Sequence, residues 1–354
     1  MLKINGSAAL VEAVPYLLGH IPEASIVLMG LGPHSHGILR IDLAADPFDW
    51  ADLATGIVHG LIELSESRGH RPERVGILIY LDPADPDYGH NGARELQGLF
   101  EILANASRSH GMTVTEAVAV THTHWWSYLC SDPDCCPLEG KPVQGPANPG
   151  HITEQALAAG MVRPRSRAEM LAELAPFDGE TGDLMLKELT AAEWRLPSET
   201  RAEVVDRVAS RITTYLEAAR SGEGPADLGA PGVLDHESAA ELLFALRDLS
   251  ARDTAIGFCR AEELEDAAHL WRVLARSAVG RFAHLAIAPL TLFGFNASLR
   301  GDNTLARIVL HQANNLAGEG ESQLAGLLID NLNLGGEGVR GIAARALELR
   351  AERE

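Results

Sequence analysis

An α/β N-terminal domain, with a mixed, partly parallel sheet and flanking helices, followed by an all-α domain is the fold class this sequence predicts. Three observations predict it. Apolar strand-like runs alternate with amphipathic helical stretches up to residue 145. Two of those stretches lie between apolar runs, as the crossovers of a parallel pairing require. From residue 146 onward the patterns read as helix only.

The elements follow in order. "SAALVEAVPYLLG" reads as a helix, with Leu10, Val14, Leu17 and Leu18 near helical spacing. "SIVLMGL" is a continuous apolar strand, and "HGILRIDLAA" follows closely enough to pair with it as a hairpin. In "FDWADLATGIVHGLIELSES", Trp50, Leu53, Ile57, Leu61 and Leu64 share one helical face. "VGILIYL" is a third strand. "ARELQGLFEILANASRSHG" is a second crossover helix ending at Gly111. "TVTEAVAV" and "WWSYL" complete the sheet, with a hairpin at each end of it. Helices are expected over 198–220, 235–250, 261–278, 283–299, 302–317, 321–334 and 337–352, with Asp235 as a cap and Gly301 and Gly318 as stops. The last four share a rhythm near 35 residues, the spacing of helical-hairpin repeats, against which a plain bundle is the alternative. The closing "LELRAERE" reads as a fraying end. This divides the chain into an α/β domain at 1–145, a helical linker region at 146–234 and a helical hairpin or bundle domain at 235–354.

The chain carries 49 acidic and 29 basic side chains, a net charge of −20. A field of that sign repels phosphate backbones and disfavours nucleic acid as a partner. The longest nearly uncharged run, "FAHLAIAPLTLFGFNASL", falls short of the roughly 20 apolar residues a spanning helix needs and reads as a core helix. Together with an N-terminus lacking a secretory pattern, this predicts a cytoplasmic protein that does not engage membranes. In that compartment thiols stay reduced, which favours metal or packing over disulfide.

Three of the four cysteines, Cys130, Cys135 and Cys136, fall within seven residues of "WWSYLCSDPDCCPLEG". They are candidate zinc ligands, or partners in a disulfide around the turn-forming "SDPD". The bland alternative is three small buried apolar side chains beside Trp125, Trp126 and Tyr128. Adjacent residues rarely aim at one ion, which weighs against Cys135 and Cys136 acting together. If residues 122–130 form one strand, His124 lies about 20 Å from Cys130 at roughly 3.3 Å per residue, so His122 and His124 are not expected to join them. Cys259 belongs to the helical half, and no base is placed by spacing to activate a catalytic thiol. A second candidate ligand site is "DPADPDYGHNG", which follows the third strand: Asp82, Asp85, Asp87 and His90 can offer oxygen and nitrogen donors at a strand's carboxyl end, although Asp and Pro also build turns there. Arg40 and Arg94 are cations that can answer an anion near it. "GLGPHSHG" lacks the strand-to-helix context of a phosphate loop and reads as a hairpin loop.

Three stretches resemble the actinobacterial domain-of-unknown-function family 4192. They are Trp126-Ser127-Tyr128-x-Cys130 with Cys135-Cys136-Pro137 and Gly140, the opening "LVEAVPYLLGHIPEASIVLMGL", and "APLTLFGFNASLRGDNTLARIVLHQA" with its Gly-Asp turn. The resemblance spans nearly the whole chain and implies lineage and fold; it carries over no catalytic residue. With no assembled catalytic motif, the expected role is that of a non-catalytic interaction or regulatory protein, with a protein partner bound by the helical half. The alternatives are an enzyme or small-ligand protein with its cleft at the strand carboxyl ends, and a zinc or thiol redox sensor, for which zinc is the candidate cofactor. Oligomeric state is not encoded in these patterns.

Overall fold

The computed structural model describes residues 3–32, 37–44, 46–85, 87–145, 149–195, 200–223, 225–318, 323–333 and 337–353. The chain forms two compact units, Met1–Arg167 and Ala168–Glu354. The stretch 146–234 contributes helices to both.

The first unit is a six-stranded mixed sheet: β1 (Ser25–Leu31), β2 (Ile38–Asp42), β3 (Arg74–Tyr80), β4 (Thr113–Val120), β5 (His124–Ser127) and β6 (Lys141–Pro142), in the order β2-β1-β3-β4-β5-β6. β3 and β4 are parallel, and every other neighbouring pair is antiparallel. The expected hairpins stand at either side, β1 with β2 and β4 with β5. β6 was not anticipated, since two residues carry no periodic signal.

β1 and β3 are apolar on both sides because both sheet faces are covered. Alternation sends Ile26, Leu28, Ile77 and Ile79 toward α2 (Trp50–Glu66) and α4 (Gln97–Ser109). It sends Val27, Leu78, Val118, Val120 and Trp125 toward α1 (Gly6–Leu18). The buried seam of α2 is Ala54, Ile57, Val58, Leu61 and Ile62, while Trp50 and Leu53 are half-buried at its margin. The single helix expected over 93–111 is two: α3 (His90–Glu95) and α4 meet at Leu96, whose side chain packs into both adjoining clusters. Gly111, at φ +81°, follows α4 as expected. α1 is fastened by Glu12, which is 2% exposed. Its carboxylate accepts from the backbone N–H groups of Gly150 (2.9 Å), Ile152 (3.3 Å) and Thr153 (2.8 Å) at the start of α5 (His151–Ala158).

The second unit is mostly helical. Its helices are α6 (Arg167–Ala172, which begins on the last residue of the first unit), α7 (Gly179–Arg195), α8 (Arg201–Ala218), α9 (His236–Ala245), α10 (Leu249–Ile256), α11 (Leu264–Ser277), α12 (Ile287–Leu299), α13 (Asn303–Ala317), α14 (Gln323–Asn333) and α15 (Glu337–Ala351). Trp271, Tyr215, Phe282 and Phe295 are its largest fully buried side chains. Thr200 and Glu203 form a reciprocal capping box that starts α8; the expected start at Ser198 lies outside the described residues. The helix expected over 235–250 breaks in two because the Asp248 side chain caps Ser250 and Ala251 and starts α10. α12 and α13 form the expected hairpin, with Gly301 at φ +83° and Asp302 accepting from the Leu305 N–H at 3.0 Å. The Gly-Gly turn of the second expected hairpin lies outside the described residues.

Among the described residues one helical stretch, Gly280–Leu299, is long and apolar enough to cross a membrane; 67% of its most apolar window is buried, the behaviour of a core helix. The C-terminal helix is not the fraying end the sequence suggested. Arg350 reaches both oxygens of Glu263, at 3.0 and 2.9 Å, and lies over the Phe258 ring. Glu263 is 1% exposed and also meets Arg220 at 3.3 Å. A partner 87 residues away in sequence is invisible to local pattern.

Candidate metal centre

The cysteine loop is built by short polar contacts at the end of β5. The Ser127 hydroxyl accepts from the N–H groups of both Leu129 and Cys130, each at 3.1 Å, and turns the chain away from the sheet. The "SDPD" segment then winds back on itself. The Asp132 carboxylate accepts from the Asp134 N–H at 3.0 Å, and the Asp132 carbonyl accepts from Cys135 (3.2 Å) and Cys136 (2.7 Å). This returns both later cysteines to Cys130.

The far end of the loop is clamped to the sheet. The Trp126 indole N–H donates to the Leu138 carbonyl at 2.9 Å. Gly140 sits at φ +83° directly under the indole, where a Cβ would lie 2.6 Å from the ring. Only glycine meets both demands. Lys141 then enters β6, paired with Trp125.

The three sulfurs converge: all lie within 4.8 Å of one another, and those of Cys135 and Cys136 are 3.9 Å apart. Among the described residues no other group of three His, Cys, Asp or Glu donors gathers in this way. The adjacency of Cys135 and Cys136 is therefore no obstacle, because the tight turn rotates both toward Cys130. The thiols are unpaired, with Cys135 exposed and Cys130 and Cys136 half-buried, so they are not the buried packing residues of the bland alternative. Lys141 Nζ lies 3.9 Å from the Cys135 sulfur and 5.3 Å from the centre of the Trp125 ring.

The neighbouring sulfurs act on one another's ionisation. The backbone N–H of Asp132, and next the Cys136 thiol, hydrogen-bond the Cys130 sulfur and hold its pKa below the ordinary thiol value. Burial, and then the bonds to the Cys130 and Cys135 sulfurs, push Cys136 up to about 12. One thiolate is favoured and the next is resisted. A bound cation reverses that resistance, because a coordinating thiol is deprotonated outright.

A cleft of 210 Å³ opens beside the cluster, walled by Trp125, Trp126 and Tyr128. The Tyr128 hydroxyl donates to the Ala93 carbonyl at 2.9 Å, and its ring stacks on Phe100 at 4.9 Å. His90 lines this cleft, 6.5 Å from Trp126, and so parts from the aspartates it was grouped with in the sequence. Asp82 and Asp85 are exposed and occupied locally: each carboxylate accepts a backbone N–H two residues on, from Ala84 and Asp87, both at 2.9 Å. Asp87 is exposed and uses its carbonyl to receive the Gly92 N–H at 2.8 Å. They serve as turn residues. Arg40 is paired with Asp42 at 2.7 Å, whereas Arg94 lines the cleft.

The neighbouring histidines have other partners. His122 Nε2 meets Glu23 at 3.0 Å, and this bond holds its pKa above the ordinary value. His124 Nδ1 meets the Thr123 hydroxyl at 3.0 Å. Cys259 is buried in the second unit, and burial raises its thiol to about 11. Lys141 escaped sequence reading. The signal was its place six residues after Cys135, just past the glycine turn, but nothing local says that its ammonium folds back. His34 and His36 of "GLGPHSHG" lie outside the described residues, though the hairpin they bridge is closed by a 2.9 Å bond from the Gly30 N–H to the Gly37 carbonyl.

The family model described as "Domain of unknown function (DUF4192)" matches residues 8–337, nearly the whole chain, and the chain belongs to that family. No curated protein and no solved structure matches it.

Proposed function

We propose that this member of the DUF4192 family is a thiolate metal-binding protein, whose Cys130–Cys135–Cys136 loop takes one zinc-class divalent ion in a regulatory, sensing role. The observation that carries this reading is the convergence of three sulfurs within 4.8 Å. Zinc–sulfur bonds of about 2.3 Å at tetrahedral angles set ligand sulfurs about 3.8 Å apart, close to the 3.9 Å between Cys135 and Cys136. A disulfide needs about 2.05 Å, so the spacing favours an ion between the sulfurs over a bond between them. The sensing role is supported by exposure. Cys135 is open to solvent and the Asp132 N–H holds the Cys130 pKa below the ordinary thiol value, so oxidation of the loop would release the ion.

Metal analysis of chelator-free protein tests this. One zinc per chain is expected, lost in Cys130→Ser and displaced by oxidant in step with loss of titratable thiols. Metal-free protein that takes up no zinc or cobalt when both are offered contradicts it.

A second reading, a protein-binding surface on the helical unit, is supported by Trp194, which is 79% exposed on α7. It predicts that Trp194→Ser in the full chain reduces co-purification of a specific host protein. Co-purification unchanged by the substitution removes it.

A further inference from the structure

Three thiolates leave a tetrahedral ion one ligand short, and sites with three protein ligands are the ones that keep a position for water or substrate. Among the described residues no further His, Cys, Asp or Glu donor stands with the three sulfurs. The direction of supply is set by the cleft, since Cys130 and Cys136 form part of its wall.

That wall is unusual for this chain. The protein carries 49 carboxylates against 29 Lys and Arg, yet none of the residues lining the cleft is acidic, and Arg94 and Lys141 are both among them. Among the described residues neither cation has a carboxylate partner. Lys141 faces a sulfur and an aromatic ring, and among the described residues the Arg94 side chain makes no ion pair or hydrogen bond. The nearby Asp132 carboxylate accepts the Asp134 N–H and is near enough to Cys130 for its charge to act on that thiol, but it does not line the cleft. A divalent ion with three thiolates carries a net single negative charge; Lys141 and Arg94, set against the Asp132 carboxylate, bring the site to neutrality. Two cations in a cleft wall that holds no carboxylate, beside an incomplete coordination sphere, describe a receptor for an anion.

Resting on the metal reading above, we infer that the ion's fourth position is filled by an anionic oxygen of a small molecule bound in this cleft, with Arg94 and Lys141 as the residues that receive its charge. The oxygen displaces a coordinated water, and no electron changes hands. The volume limits the ligand. At 210 Å³ the cleft is smaller than the roughly 300–1,000 Å³ of pockets for drug-sized molecules, which fits a small carboxylate or a phosphate group and excludes a nucleotide. Trp125, Trp126 and Tyr128 supply flat apolar walls for a short carbon body.

The test uses full-length protein loaded with one equivalent of cobalt(II), whose visible absorption reports its coordination sphere. It is titrated separately with acetate and with inorganic phosphate. A saturable spectral change with at least one anion is expected, with quenching of tryptophan emission in parallel. Arg94→Gln and Lys141→Gln, each verified to retain one cobalt, should weaken that anion's binding at least about tenfold. The arm that responds identifies the head group. Cobalt-loaded protein whose spectrum responds to neither anion, or responds equally in both variants, overturns the inference and leaves the metal reading standing. Failure to bind cobalt at all overturns both.

Discussion

The chemistry at the residue scale is a division of labour among neighbouring thiols. Cys130 receives a backbone N–H and titrates low, whereas Cys136 is pushed up to about 12 by burial and by the sulfurs beside it. In the metal-free protein at pH 7, iodoacetamide should therefore modify Cys130 well before Cys136. The difference should shrink as pH rises toward 12, because the thiolate is the nucleophile. Peptide mass spectrometry against time reads this, and equal rates at neutral pH would contradict the assigned environment. The residue types were readable from sequence: three cysteines in seven positions announce something special. Their convergence was not. It depends on the Asp132 carbonyl accepting two successive N–H groups, a backbone event that adjacent cysteines do not reveal. His90 illustrates the opposite case, since its proximity in sequence to Asp82, Asp85 and Asp87 suggested a shared site, while the short α3 turns it toward Trp126.

At the scale of elements, the strands and crossover helices of the first unit were written in their apolar patterns, because period and burial are local consequences of one another. What pattern could not supply was the side-chain fastening between elements far apart in sequence. Glu12 is the clearest instance. It interrupts the apolar face of α1, which reads locally as a blemish, yet its buried carboxylate closes the open N–H groups at the start of α5, as a capping side chain would. Glu12→Ala leaves those donors without partners and should lower unfolding stability by about 2–4 kcal/mol. Chemical denaturation measures this, and a loss below about 0.5 kcal/mol would show that the staple is incidental. The Gly140–Trp126 contact is of the same kind. Gly140→Ala should free the cysteine loop from the sheet and lower zinc affinity without unfolding the first unit, as read by zinc titration alongside circular dichroism.

Across the whole molecule, an excess of acid makes every unneutralised cation informative and every buried carboxylate expensive. Glu263, held by Arg350 and Arg220, ties the last helix into the second unit. Breaking a buried ion pair from one side leaves charge without compensation, so Glu263→Ala should destabilise that unit by about 3–5 kcal/mol. Thermal unfolding monitored by Trp271, which is fully buried there, reports the loss; an unchanged transition would mean the pair is dispensable. The division into a mixed sheet and a mostly helical part was visible in sequence because composition changes along the chain. The concentration of cationic side chains around one small cleft was not visible, since Arg94 and Lys141 lie 47 positions apart and meet only through the fold.

The most direct test of the central claim counts the atoms around the ion. X-ray absorption at the zinc edge of the loaded protein should show three sulfurs at about 2.3 Å and one lighter donor at about 2.0–2.2 Å. A shell of nitrogen and oxygen alone, or one that is unchanged in Cys130→Ser, would contradict it.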